Sequence, residues 1–95
     1  MRECTQFYIN GRWVDPVQPR TAQVINPATE APSGCISLGS QADVDAAVAA
    51  AKAAFPAWST TSVAERLALL KALVAEYERR AGELGAAITE EMGAA

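Results

Sequence analysis

At 95 residues, with eleven acids against eight bases and a formal charge of −3, the chain has room for one small domain or part of a larger one. Its bases Arg66, Lys71, Arg79 and Arg80 are interleaved with Glu65, Glu76, Glu78 and Glu83, so there is no basic stripe and no nucleic-acid partner is expected. No apolar run approaches the roughly 20 residues needed to cross a bilayer, and Met1-Arg2-Glu3 leads into polar sequence rather than a secretory h-region, so no membrane partner is expected and a cytoplasmic location is.

The first strong local signal is Phe7-Tyr8-Ile9-Asn10-Gly11-Arg12-Trp13-Val14. Asn-Gly between two β-rich arms predicts a type I′ hairpin, because that turn needs positive φ at both central residues. The register then pairs Ile9 with Arg12, Tyr8 with Trp13 and Phe7 with Val14. Tyr8 and Trp13 share one face, and Phe7, Ile9 and Val14 the other, which suggests a hairpin covered on both sides.

Asp15 to Pro19 reads as a loop, Thr21 to Asn26 as a strand, and Asn26-Pro27-Ala28-Thr29-Glu30 as a turn, since the residue before proline avoids the helical region. Gly34 to Leu38 returns as a further strand ended by Gly39.

Ser40-Gln41-Ala42-Asp43 is a capping-box variant that opens a helix. Val44, Val48, Ala51 and Phe55 follow at helical spacing, and Pro56-Ala57-Trp58-Ser59 is expected to end it. Ser62-Val63-Ala64-Glu65 is a second capping box. From there Val63, Leu67, Leu70, Val74, Tyr77, Ala81, Leu84 and Ile88 alternate spacings of four and three, predicting one long amphipathic helix. Leu69 and Leu73 widen that stripe beyond a coiled-coil seam. Gly82 and Gly85 weaken its second half, with a kink expected near Gly82.

Half the residues are apolar, but many are alanines, so two tryptophans, two tyrosines and two phenylalanines must supply much of the burial. That is thin for a free-standing core. Cys4 and Cys35 are the only cysteines, without CxxC spacing, and the chain has no histidine. They read as reduced, unpaired thiols, Cys4 exposed in the N-terminal tail and Cys35 packed in a strand. Neither has an imidazole base to activate it, and a zinc site would lack ligands.

Taken in order, the hairpin segment, Ile25-Asn26-Pro27-Ala28-Thr29, Ala47 to Trp58 with its A-x-x-A-x-x-A-A-F-x-x-W shape, Glu65-Arg66 opening a leucine-rich helix, and Thr89-Glu90-Glu91-Met92-Gly93-Ala94 resemble the N-terminal segment of the NAD(P)-dependent aldehyde dehydrogenase superfamily. The resemblance covers nearly the whole chain. It implies an α/β fold in which residues 1–95 form the first part of a Rossmann-like cofactor-binding domain, without the catalytic and oligomerisation regions. For the segment itself it implies two short hairpin-like strand pairs followed by two α-helices. In the family, a cysteine thiolate attacks an aldehyde to form a thiohemiacetal, hydride passes to NAD or NADP, and a glutamate activates the water that releases the thioester as a carboxylic acid.

None of those catalytic or cofactor-binding positions maps onto this chain. Cys4 and Cys35 match no nucleophile position, Asn10 and Asn26 do not match the asparagine that, with a backbone amide, stabilises the oxyanion in the family, and there is no GxGxxG phosphate cradle. Ala95 stands where the family usually has proline. One site carries over by resemblance: a structural monovalent cation held by backbone oxygens of Val24 and Ile25 and the carboxylate of Glu91, where the family usually has aspartate. The alternative for Glu91 is a solvated helix-end acid. The implied partners are the remainder of an aldehyde dehydrogenase chain, a small-molecule aldehyde and further copies in a homo-oligomer. Two other readings stand beside this one: a module that self-associates through the long helix, and a complementing subunit of a split enzyme.

Overall fold

The computed structural model describes residues 2–93. Met1, Ala94 and Ala95 lie outside the described residues, and with them the readings placed on Met1, Ala94 and Ala95. The element order is β1 (Arg2–Cys4), β2 (Phe7–Ile9), β3 (Arg12–Val14), β4 (Thr21–Ile25), β5 (Pro32–Ser37), α1 (Gln41–Ser59), α2 (Val63–Arg79) and α3 (Ala81–Met92). It is an α/β arrangement of two small sheets followed by helices.

The β2–β3 hairpin has the register its turn residues predict, with Phe7 opposite Val14, Tyr8 opposite Trp13 and Ile9 opposite Arg12. Asn10 and Gly11 take φ of 55° and 77°, the positive values a type I′ turn demands. The two rings stand 5.2 Å apart between centroids and tilted by 53°. Only one face of the hairpin is covered, however. Phe7, Ile9 and Val14 are half-buried, with β2 packed on α1, while Tyr8 and Trp13 are 63% and 66% exposed.

The other sheet has the order β1-β5-β4. Strand β1 was not expected: Arg2-Glu3-Cys4 lies in what the sequence suggests is a tail. It runs parallel to β5, with Arg2 opposite Gly34 and Cys4 opposite Ile36. Gly34 makes this approach possible, since a Cβ there would sit 3.0 Å from the Arg2 carbonyl oxygen. Strands β4 and β5 pair antiparallel from Thr21–Ser37 to Val24–Gly34, then shift register so that Ile25 faces Pro32. Ser33 is the extra residue, and its hydroxyl donates to the Val24 carbonyl at 3.3 Å. The connecting turn is built on Asn26, whose Oδ1 accepts from Ala28 N–H at 2.9 Å and whose carbonyl accepts from Glu30 N–H at 2.8 Å.

Helix α1 starts where the capping sequence places it but does not stop at Pro56, which lies inside it. Proline in the last turns removes one main-chain bond, and the helix end is otherwise well satisfied. The hydroxyls of Ser59, Thr60 and Thr61 donate to the carbonyls of Pro56, Ala57 and Trp58 at 2.9, 3.0 and 2.8 Å.

The single long helix from Val63 is also two helices. It breaks at Arg80, two residues before the glycine that seemed its weak point, so the segment carries three helices rather than two. Arg80 has left the helical region for φ −110°, ψ 12°. Its N–H still reaches the carbonyls of Glu76 and Tyr77, both at 3.1 Å, and its own carbonyl accepts from Leu84 N–H at 3.2 Å. Side chains brace both sides: Arg79 Nε donates to Glu76 at 3.1 Å and Arg80 Nε to Glu83 at 2.9 Å. The Arg79 guanidinium holds the Glu76 carboxyl below its ordinary pKa, and that carboxylate holds Arg79 above its own.

Beyond this break the end of α3 lies against the β1-β5-β4 sheet, where Glu90 meets Arg2. At its end Gly93, with φ 69°, lies so close to the Asn26-Pro27 turn that a Cβ there would be 3.2 Å from Pro27 Cγ. No apolar side chain among the described residues is buried, and only Gly34 and Asp43 are. The radius of gyration is 17.1 Å, against about 12 Å for a compact domain of this length. Val63, Leu67, Leu70, Val74, Tyr77, Leu84 and Ile88 are 44–74% exposed, so the apolar row predicted on this helix is left uncovered by the described residues.

Candidate functional site

The end of the β1-β5-β4 sheet and the end of α3 enclose a small recess of about 60 Å³, lined among others by Arg2, Val24, Cys35, Glu90 and Glu91. Each residue is there for a local reason. Val24 is the last β4 residue before the register shift, and its side chain is on the half-buried face of an alternating strand. Arg2 comes from β1, held against Gly34 by the close strand approach. Glu90 and Glu91 come from the end of α3, which meets the sheet beside the Asn26-Pro27 turn.

The chemistry of the recess is oxygen-rich with one cation. Arg2 Nη2 lies 3.6 Å from Glu90 Oε2, with both side chains about half exposed, so this ion pair is a weak contributor to stability. Glu91 lines the recess without an ion-pair partner among the described residues. The Val24 carbonyl accepts the Ser33 hydroxyl at 3.3 Å. No group of three or more His, Cys, Asp or Glu side chains is placed to hold a metal among the described residues.

Of the three residues read as a cation site, Val24 and Glu91 are brought together at this recess. Ile25 does not line it: it sits past the bulge, opposite Pro32 and 46% exposed. Oxygen donors of this kind suit a hard cation and not a soft one. Arg2 and Glu90 were not read as part of the site. Arg2 lies on a three-residue strand without alternation that pairs with β5 far along the chain, and Glu90 on α3 beyond the unexpected Arg80 break.

The two cysteines are not paired with each other. Cys4 is exposed and Cys35 half-buried, both unpaired. They lie on adjacent strands but out of register, Cys4 opposite Ile36 and Glu3 opposite Cys35, so their side chains leave opposite faces of the sheet. No helix among the described residues is long and apolar enough to cross a membrane.

The aldehyde dehydrogenase family model matches residues 13–95, most of the chain. This chain belongs to the aldehyde dehydrogenase family. It is 52% identical over 94 residues to a 3-succinoylsemialdehyde-pyridine dehydrogenase of a Pseudomonas species, a match spanning 99% of this chain and 20% of that protein. The crystal structure of an aldehyde dehydrogenase from Bartonella henselae superposes with a TM-score of 0.96 at 46% identity, covering 99% of this chain and 20% of that one. The chain thus spans about a fifth of the length of the relatives it matches. Its strands and helices are laid out as in the matching fifth of that structure.

Proposed function

We propose that this segment is the N-terminal part of the cofactor-binding domain of an NAD(P)-dependent enzyme that oxidises an aldehyde to a carboxylic acid. The observation that carries the reading is the 0.96 superposition on an aldehyde dehydrogenase across 99% of the chain. The segment contributes scaffold rather than chemistry. Neither cysteine has an imidazole to activate it, since the chain has no histidine, and its six glycines form no GxGxxG turn to hold a pyrophosphate. The described residues therefore do not fit a nicotinamide cofactor, and the nucleophile, the water-activating base and the cofactor cradle belong to the remainder of the enzyme.

The role of these residues is to order the start of that domain. Asp43 ties the β3–β4 loop to the start of α1, and the end of α3 meets the sheet beyond the Arg80 break. At that junction the Val24 carbonyl oxygen and the Glu91 carboxylate are the donors we assign to a structural monovalent cation. Ile25 adds a donor only through its main chain outside the recess.

The test is an NAD(P)-reduction assay on the polypeptide encoded by the reading frame containing this segment, with aliphatic and aromatic aldehydes. Aldehyde-dependent reduction supports the reading; a polypeptide that binds neither cofactor nor aldehyde contradicts it. For the cation, melting the same polypeptide in sodium or potassium against choline should show stabilisation that Glu91→Gln abolishes. An equal melt in all three salts removes the site.

A further inference from the structure

We propose that Asn10-Gly11 is a site of spontaneous covalent modification, at which Asn10 loses its amide to become aspartate or isoaspartate. The chain has two asparagines, and the structure places them in opposite chemical situations. Asn26 precedes Pro27, whose ring nitrogen carries no hydrogen to give up. Its side-chain oxygen is held by Ala28 N–H at 2.9 Å and Thr29 N–H at 3.4 Å. Asn10 sits at an exposed hairpin tip. Among the described residues its side chain makes no hydrogen bond, and the Gly11 N–H donates to nothing. No atom of a residue beyond its two chain neighbours lies within 4 Å of the place a Gly11 Cβ would occupy.

The absence of a side chain at Gly11 matters because the reaction brings two crowded centres together. The Gly11 main-chain nitrogen attacks Asn10 Cγ, a new N–Cγ bond forms, the Cγ–Nδ2 bond breaks, and ammonia leaves with the Gly11 proton. The cyclic imide then takes up one water. Opening at Cγ gives aspartate in the ordinary main chain; opening at the main-chain carbonyl gives isoaspartate. No electrons are transferred, and water is the only co-reactant.

The two products act differently on the fold. Asp-Gly supports the same type I′ turn as Asn-Gly, so the aspartate form keeps the register that pairs Tyr8 with Trp13. Isoaspartate adds one carbon to the main chain inside a two-residue turn, and that register cannot be kept.

The experiment is ageing of the intact chain at mildly alkaline pH, read by peptide mass mapping, with isoaspartyl methyltransferase labelling to separate the products and Asn10→Asp as the aspartate standard. The expected result is an amide-to-acid mass gain confined to the peptide holding Asn10, partly methyl-accepting, with Asn26 unchanged, and several-fold slower in Gly11→Ala. A synthetic peptide spanning Tyr8 to Trp13 is aged alongside. If Asn10 stays amidated in the folded chain after that peptide has converted, or if Asn26 converts as fast as Asn10, the proposal is overturned.

Discussion

Asp43 Oδ1 accepts the Val17 main-chain N–H at 3.1 Å, joining the first turn of α1 to a loop 26 residues earlier in the chain. Its other oxygen accepts the Ser40 N–H at 2.9 Å and the Ser40 hydroxyl at 3.0 Å. Asp43 is 6% exposed, the only polar side chain buried among the described residues. Nearby, the Arg20 guanidinium donates to the Gly39 carbonyl at 3.2 Å, closing the same loop from its other end. The Ser40 N–H above all, and then the Val17 N–H, hold the Asp43 carboxyl below its ordinary pKa.

The sign of the resulting pH dependence follows from that depressed value. The stabilisation is fully present above the unfolded value, about 3.9 for aspartate, and is lost as pH falls through the lower folded value. Asp43→Asn replaces one acceptor oxygen with an NH2 that faces N–H donors. We expect it to lower the thermal midpoint clearly at neutral pH and to differ less from the parent below pH about 3.9. A gap that widens on acidification would contradict the assignment.

Gly34→Ala tests the parallel β1–β5 contact. Its Cβ would meet the Arg2 carbonyl oxygen, a main-chain atom, at 3.0 Å, so the strand itself has to move. A loss of roughly 1–3 kcal/mol is expected, together with early hydrogen exchange in β1. Unchanged protection of Glu3 and Cys4 would show that the approach is not constrained by the missing side chain.

Ser62→Ala tests the start of α2. The Ser62 hydroxyl accepts from Glu65 N–H at 3.1 Å, and the Glu65 carboxylate accepts from Ser62 N–H at 3.3 Å. Removing the hydroxyl is expected to cost about 0.5–2 kcal/mol, seen as a lower unfolding midpoint in denaturant. Ser62→Asp, another good cap, should recover most of it.

The exposed row from Val63 to Ile88 predicts how the segment behaves alone. Exposed apolar stripes of this kind mark interfaces or aggregation liabilities. The isolated chain should bind apolar dyes, melt broadly and sediment as more than a monomer. A sharp two-state melt from a monomer would mean that the segment closes its own core.

What could be read in advance divides by the range of the interaction. The β2–β3 register was legible because Asn10 and Gly11 fix it locally, and both capping serines marked helix starts for the same reason. The parallel pairing of Arg2-Glu3-Cys4 with β5 was not, because no local pattern announces a three-residue strand whose partner is far along the chain. Pro56 misled because a proline near a helix end removes only one bond when serine and threonine hydroxyls satisfy the last carbonyls. The Arg80 break was hidden because the apolar row continues across it in phase. At the candidate site, Val24 and Glu91 came from the resemblance, while Arg2 and Glu90 depended on the unseen strand and break.

The most direct measurement is aldehyde-dependent NAD(P) reduction by the isolated chain, alone and as the double variant Cys4→Ala with Cys35→Ala. The account predicts background rates from both, because a scaffold segment holds neither nucleophile nor cofactor cradle. Turnover by the parent chain that disappears in the double variant would contradict it.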